Sequence, residues 1–167
     1  MEKTGTASPH AQAARDAKRR HALAMEIDDH FVSELVDRFY ARIRDDERLG
    51  PIFAARIGDW GPHLGQMKRF WRSILFSSGE YLGNPMMKHL AIDALDRAMF
   101  ARWLDLFDAS LRELGSDEAR EHVHERARMI ANSLLNGIAI HRDKRLSISP
   151  EEAFPETPLM PLSALGI

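Results

Sequence analysis

The sequence of 167 residues contains no cysteine. That absence removes disulfides, iron–sulfur clusters, cysteine-ligated zinc, thiol nucleophiles and the C-x-x-C-H attachment of a c-type haem from the chemistry the chain can carry. It suits a reducing cytoplasm, where disulfides do not persist. No apolar run approaches the roughly 20 residues that a membrane-spanning helix needs, and the N-terminus lacks the apolar core of a secretory signal. An excess of one charge is missing too. With 23 Lys and Arg against 25 Asp and Glu the net charge is −2, which gives no general attraction to nucleic acid or another polyanion. There is no Walker loop, no H-E-x-x-H, no G-x-S-x-G and no dinucleotide fingerprint. Sustained period-two alternation is also absent, so strands are not expected.

What the chain does contain is helical periodicity. Phe31, Leu35, Phe39 and Ile43 recur every four residues, and Val32, Val36 and Tyr40 widen the stripe. This helix is expected to start near Asp28 or Asp29 and to stop before "DDERLGPIF" (45–53), where Gly50 and Pro51 break it. Met67, Phe70, Trp71 and Ile74 predict a second helix, entered through "GDWGPH" with Pro62 near its first turn. Met99, Trp103, Leu106, Phe107, Leu111 and Leu114 predict a third, ended at Gly115. Ser116 then caps a fourth, carried by Val123, Ala127, Ile130, Leu134 and Ile138. The fold class is all-α. A chain of this length, 44% hydrophobic and 29% charged, reads as one soluble domain able to bury a core.

The two ends differ from the middle. Residues 1–25 carry five Lys or Arg against two acids, interleaved with alanine, and read as a flexible start running into a surface helix. After Arg145 come Pro150, Pro155, Pro158 and Pro161, with Glu151, Glu152 and Glu156 as the sole charges. Such a segment does not continue a helix; it reads as an extended tail lying on the surface or mobile.

Candidate chemistry rests on the histidines. His10, His21, His30 and His141 fall in polar surroundings or near the ends and read as solvated surface. "EHVHER" (121–126) holds one Glu-x-x-His, whereas a di-iron bundle needs that motif on two helices and two further glutamates. His122 and His124 are two apart and do not share a helix face. His63 opens the second helix at offsets of four, seven, eight and eleven from Met67, Phe70, Trp71 and Ile74, which puts it on the apolar face. Taken singly, it reads as a core or boundary histidine. His89 stands in "YLGNPMMKHL" (81–90), where Asn84 and Pro85 are a helix-start signal for a helix too short to form a core wall. Near that helix's C-terminal end, exposed carbonyls are available to accept its Nδ1–H and leave Nε2 free as a ligand. A ligand and an ordinary half-buried imidazole both fit. Tyr40 and Trp103 lie on apolar stripes with a polar handle each, and singly read as core aromatics.

Together, "FYARIRDDERLGPIF" (39–53), "WGPHLGQMKRFW" (60–71), "YLGNPMMKHL" (81–90), "FARWLDLF" (100–107) and "RARMIANSL" (126–134) resemble the group III truncated haemoglobins, a bacterial branch of the globins. The resemblance runs from about Phe31 to His141. It implies a shortened globin, a two-over-two helical sandwich, and a domain division of 26–145 for the haem domain with 1–25 and 146–167 as extensions. It implies noncovalent haem b with His89 as the proximal iron ligand. It also implies Tyr40, His63 and Trp103 as the polar distal side, Phe53 as the aromatic packed on the porphyrin, Trp71 near the haem edge and Met67 facing the haem. Phenol O–H and indole N–H are then donors toward a bound diatomic ligand, and His63 adds a third bond, gates access or approaches the iron. The function implied is binding of oxygen and other small diatomic ligands at a five-coordinate iron, for redox chemistry of a peroxidase or nitric oxide dioxygenase type. The alternative is oxygen storage, delivery or sensing. The expected setting is a cytoplasmic monomer served by a reductase, with neither nucleic acid nor a membrane as partner.

Overall fold

The computed structural model describes residues 7–156. Residues 1–6, at the expected flexible start, and Pro158 and Pro161 of the tail lie outside the described residues. Within them the chain is helical, with no strand. The helices are α1 (Pro9–Ala24), α2 (Asp29–Asp45), α3 (Gly50–Ala54), α4 (Trp60–Phe76), α5 (Pro85–Leu90), α6 (Arg97–Leu111) and α7 (Asp117–His141). Helix α2 packs on α4 and α6 on α7, and α2 also lies against α6, which joins the pairs into a two-over-two sandwich. Helix α1 rests on α4 and buries only Ala22, as a surface helix should.

Short polar side chains start the helices by occupying N–H groups that have no partner within the helix. Asp28 accepts from Phe31 N at 2.8 Å, Asp96 from Met99 N at 2.9 Å and Ser116 from Ala119 N at 3.2 Å. Asp59 accepts from Gly61 N and Asn84 from Met87 N, each at 3.2 Å. The apolar stripe expected on α2 is buried in full, from Phe31 to Ile43. At the centre Phe107 stacks on Trp71 (4.9 Å, 26°) and on Trp103 (5.4 Å, 12°), and meets Phe39 edge-on at 5.1 Å. This aromatic column ties α2, α4 and α6 together, each such pair contributing about 0.5–1.5 kcal/mol beyond its burial.

Two expectations need correction. Gly50 and Pro51 do not end α2; they start α3. The turn is made by Asp46, whose Oδ1 accepts from Arg48 N (3.0 Å) and Leu49 N (2.9 Å) while Oδ2 takes Arg102 Nε at 2.7 Å. Gly50 is required for contact: a Cβ there would lie 2.9 Å from the Arg44 carbonyl oxygen, so α3 begins pressed against the end of α2. The third helix stops at Leu111, and Leu114 follows in the turn before Gly115. Of the two readings of the tail, surface-lying or mobile, its described part lies on the surface and is anchored there at Phe154. Phe154 is 9% exposed; its N–H donates to Asn132 Oδ1 (2.8 Å) and its carbonyl accepts from Asn132 Nδ2 (3.1 Å) and Arg128 (2.8 Å). Arg97 lies 4.6 Å over its ring and donates to Glu152 O at 2.8 Å. Periodicity could not reveal this, because a lone aromatic between prolines carries no period.

Candidate functional site

Helix α5 has six residues and buries none of them, so it is too short to persist by itself. Its neighbours hold it. The Met86 thioether occupies the space beside Gly137 of α7, where a Cβ would come within 2.2 Å of the sulfur. Glycine at 137 therefore lets α5 lie directly on the α7 backbone. Arg56 donates to Ala91 O and Arg142 to Leu95 O, both at 2.9 Å, fixing the chain that leaves α5.

On this short helix His89 Nδ1 stands 2.6 Å from the Pro85 carbonyl oxygen. A carbonyl only accepts, so Nδ1 carries the proton and Nε2 keeps its lone pair. The expected acceptor was a carbonyl at the C-terminal end of the helix; the structure supplies one a turn earlier. Burial pushes the imidazole below its ordinary pKa, with the Pro85 bond working against this and the Lys88 charge with it. The ring is thus neutral near pH 7, as a metal-ligating imidazole must be.

Tyr40 is 5% exposed, and burial, followed by Tyr81, raises its pKa far above the ordinary phenol value. It stays a neutral donor. Its ring meets Phe39 (5.0 Å), Phe53 (5.9 Å) and His63 (5.2 Å) edge-on. His63 also meets Trp60 edge-on at 5.6 Å, and its Nε2 is buried without a hydrogen-bond partner. Burial and then the Lys88 charge lower its pKa, so it too is neutral near pH 7. Trp103 is oriented by its stack on Phe107 and an edge contact with Phe39 at 5.3 Å. Among the described residues no protein group bonds to the Tyr40 hydroxyl or the Trp103 indole N–H.

Tyr40, Phe53, His63, Met67, Trp71, His89 and Trp103 all line one cavity of about 660 Å³, within the range of cofactor sites. The rest of the wall lies mostly within the same quoted stretches, but none of its residues was given a site role from the sequence. Leu49, Ile52, Phe70, Leu95, Phe100 and Leu134 make it apolar, and Gln66, Tyr81, Arg56 and Lys88 add polar groups. Lys88 and Arg56 had a weak signal, as cations one and three residues from His89 and Phe53. Leu134 had only its place in the α7 stripe and the 126–134 stretch, and Leu95 had no signal. His122 and His124 do not line this cavity; His122 instead meets His21 edge-on at 5.4 Å. Among the described residues no three His, Asp or Glu side chains converge as metal ligands. Two neutral imidazoles in an apolar slot, with no carboxylate or thiolate beside them, hold a metal well only when the remaining ligands arrive with a cofactor. An unpartnered imidazole nitrogen and two free donors in the same wall suit a cofactor that brings a polar diatomic ligand with it.

No protein-family model matches the chain. It is 34% identical over 114 residues to the group 3 truncated hemoglobin ctb of Campylobacter jejuni, spanning 66% of this chain and 90% of that protein. A crystal structure of a group III truncated hemoglobin from the same organism superposes with a TM-score of 0.63, again covering 66% of this chain and 90% of that one. The chain belongs to the group III truncated haemoglobins. Membership implies haem-based binding of small ligands, and the all-helical sandwich is the fold of this truncated haemoglobin family. None of the described helices is long and apolar enough to cross a membrane.

Proposed function

We propose that this truncated haemoglobin holds haem b noncovalently through His89 and binds oxygen and other small diatomic ligands for redox chemistry on peroxide or nitric oxide. One observation carries the reading: Tyr40, His63 and Trp103 bring three polar groups into the same apolar cavity as an imidazole whose Nε2 is free. Haem, when bound, supplies an iron that takes up diatomic ligands and peroxide and exchanges electrons.

The chain's own residues do the rest. His89 would hold the group from the short helix, with Pro85 fixing its tautomer. Phe53, Met67 and Trp71 would pack its apolar faces and edge, and the exposed Arg56 and Lys88 suit its two carboxylates by charge. The Tyr40 O–H, kept neutral by burial, and the Trp103 N–H would donate to the ligand. His63 would add a third bond or control access. Donors of this kind favour a polarised, tightly held ligand, which suits O–O or nitric oxide chemistry better than oxygen delivery.

The reading includes a haem domain at 26–145 with extensions on either side, a monomer in the cytoplasm, and an electron-donating reductase as partner. The test is a visible spectrum of the purified protein followed by single-turnover mixing. A Soret band is expected, with fast reaction of the ferrous oxygenated form with nitric oxide or of the ferric form with peroxide. No Soret band removes the haem assignment. A Soret band with fast oxygen release and no faster peroxide reaction than a storage globin leaves storage or delivery instead.

A further inference from the structure

We infer that Trp60, pinned by Arg44, is the positioning residue that keeps His63 inside the cavity and so sets how often the cavity is open. The inference rests on the haem reading for its consequence, and on the protein alone for its geometry.

The His63 ring is held by no hydrogen bond among the described residues, and its Nε2 is buried without a partner. A buried imidazole nitrogen in that state gains by turning outward to water. Packing must hold it in. Two rings do so, both nearly perpendicular to the imidazole: Tyr40 at 5.2 Å and 89°, and Trp60 at 5.6 Å and 88°. Tyr40 is anchored in the core, but Trp60 is the first residue of α4 and only half-buried. Its outer face is held by Arg44, whose guanidinium lies 4.8 Å over the indole, while the Tyr40 ring meets it at 6.0 Å on the inner side. Arg44 follows Tyr40 by one turn of α2. One helix therefore supplies both sides of the clamp, Tyr40 directly and Trp60 through its cation. Trp60 itself does not line the cavity; it reaches the wall through His63 and through a tilted contact with the Tyr40 ring at 6.0 Å, and the His63→Ala background separates the two routes.

The two states of His63 are then closely balanced, an unsatisfied nitrogen against edge-to-face packing. Weakening the packing should let the ring swing out. Loss of one aromatic contact changes such an equilibrium by about two- to tenfold.

Two measurements test this. The first needs no haem: NMR titration of the His63 imidazole in the protein as purified, compared with Trp60→Ala and Trp60→Phe. The His63 pKa should rise toward its ordinary value in Trp60→Ala and stay low in Trp60→Phe, with the Lys88 charge common to all. An unchanged titration in Trp60→Ala overturns the clamp whether or not haem is present. The second is carbon monoxide association after flash photolysis of the ferrous protein. Trp60→Ala and the exposed-site variant Arg44→Ala should speed it about two- to tenfold, and Trp60→Ala should add nothing in a His63→Ala background. Equal acceleration in both backgrounds would show that Trp60 merely plugs the opening and overturns the inference. If Trp60→Ala fails to fold, Arg44→Ala decides: no acceleration there overturns it. A missing Soret band defeats the haem reading instead, and the His63 titration still decides for or against the clamp.

Discussion

Replacing Tyr40 by phenylalanine deletes one oxygen from a side chain that is 5% exposed. The ring contacts with Phe39, Phe53 and His63 are all compatible with phenylalanine, so packing changes little and the hydrogen bond is what is lost. A bond from a buried donor to a ligand carrying partial charge is worth about 1.5–3 kcal/mol. Oxygen dissociation should therefore quicken about tenfold to 150-fold. Carbon monoxide carries little charge on its outer atom, so its dissociation should change far less. Burial holds the phenol pKa far above its ordinary value, so the ratio of variant to wild type should not vary between about pH 6 and pH 9. Trp103→Phe should show the same preference for oxygen. It also loses part of the stack on Phe107 and the edge contact with Phe39, so some acceleration of carbon monoxide should accompany it. The assay is stopped-flow dissociation of each gas. Equal changes for both gases in Tyr40→Phe would mean that the substitution opens the pocket, and the donor role would be refuted.

Three further outcomes are expected. His89→Ala should lose haem or require added imidazole to keep it, while His122→Ala and His124→Ala keep the wild-type spectrum; unchanged haem content in His89→Ala would remove the proximal assignment. Truncation after Leu146 should leave haem uptake intact but remove Phe154 from its bed, and Phe154→Ala alone should cost about 3 kcal/mol, or about 6–12 °C in Tm. A Tm unchanged in both variants would mean that the tail does not pack. Burial, as the first cause, holds the pKa of the His63, His122 and His124 imidazoles below the ordinary value of 6.5. Below that value the unfolded chain takes up protons that the folded one refuses, so stability is full above about pH 6.5 and falls as the pH drops through and below it. Denaturant midpoints at about pH 7 and pH 5 measure this, and His124→Gln should shrink the difference; equal midpoints in the wild type would contradict the burial argument.

Three helix starts were legible because capping is local chemistry: Asp28, Asn84 and Ser116 each bond within their own first turn. The α2 stripe was legible because burial on one face imposes the period. Helix ends were less so. Gly50–Pro51 looks like a stop in any window, yet it opens α3 after a turn that Asp46 makes with Arg48 N and Leu49 N and that Arg102 braces from 56 residues away. The site residues were legible only as a family pattern. Singly, Tyr40, His63 and Trp103 are ordinary residues on their helices, and nothing local says that they share a wall.

The sequence by itself determined the helical class, the short helix after Asn84 and the chemistry that a chain without cysteine can carry, because propensity, capping and residue inventory act over a few residues. Tertiary structure decided the rest. It laid α5 on Gly137, drew Phe154 of the tail into a bed between Arg97 and Asn132, and placed Trp60 between His63 and Arg44. Each of these depends on surfaces that meet only after the helices pack, where the fit between distant side chains, rather than any local preference, sets the energy.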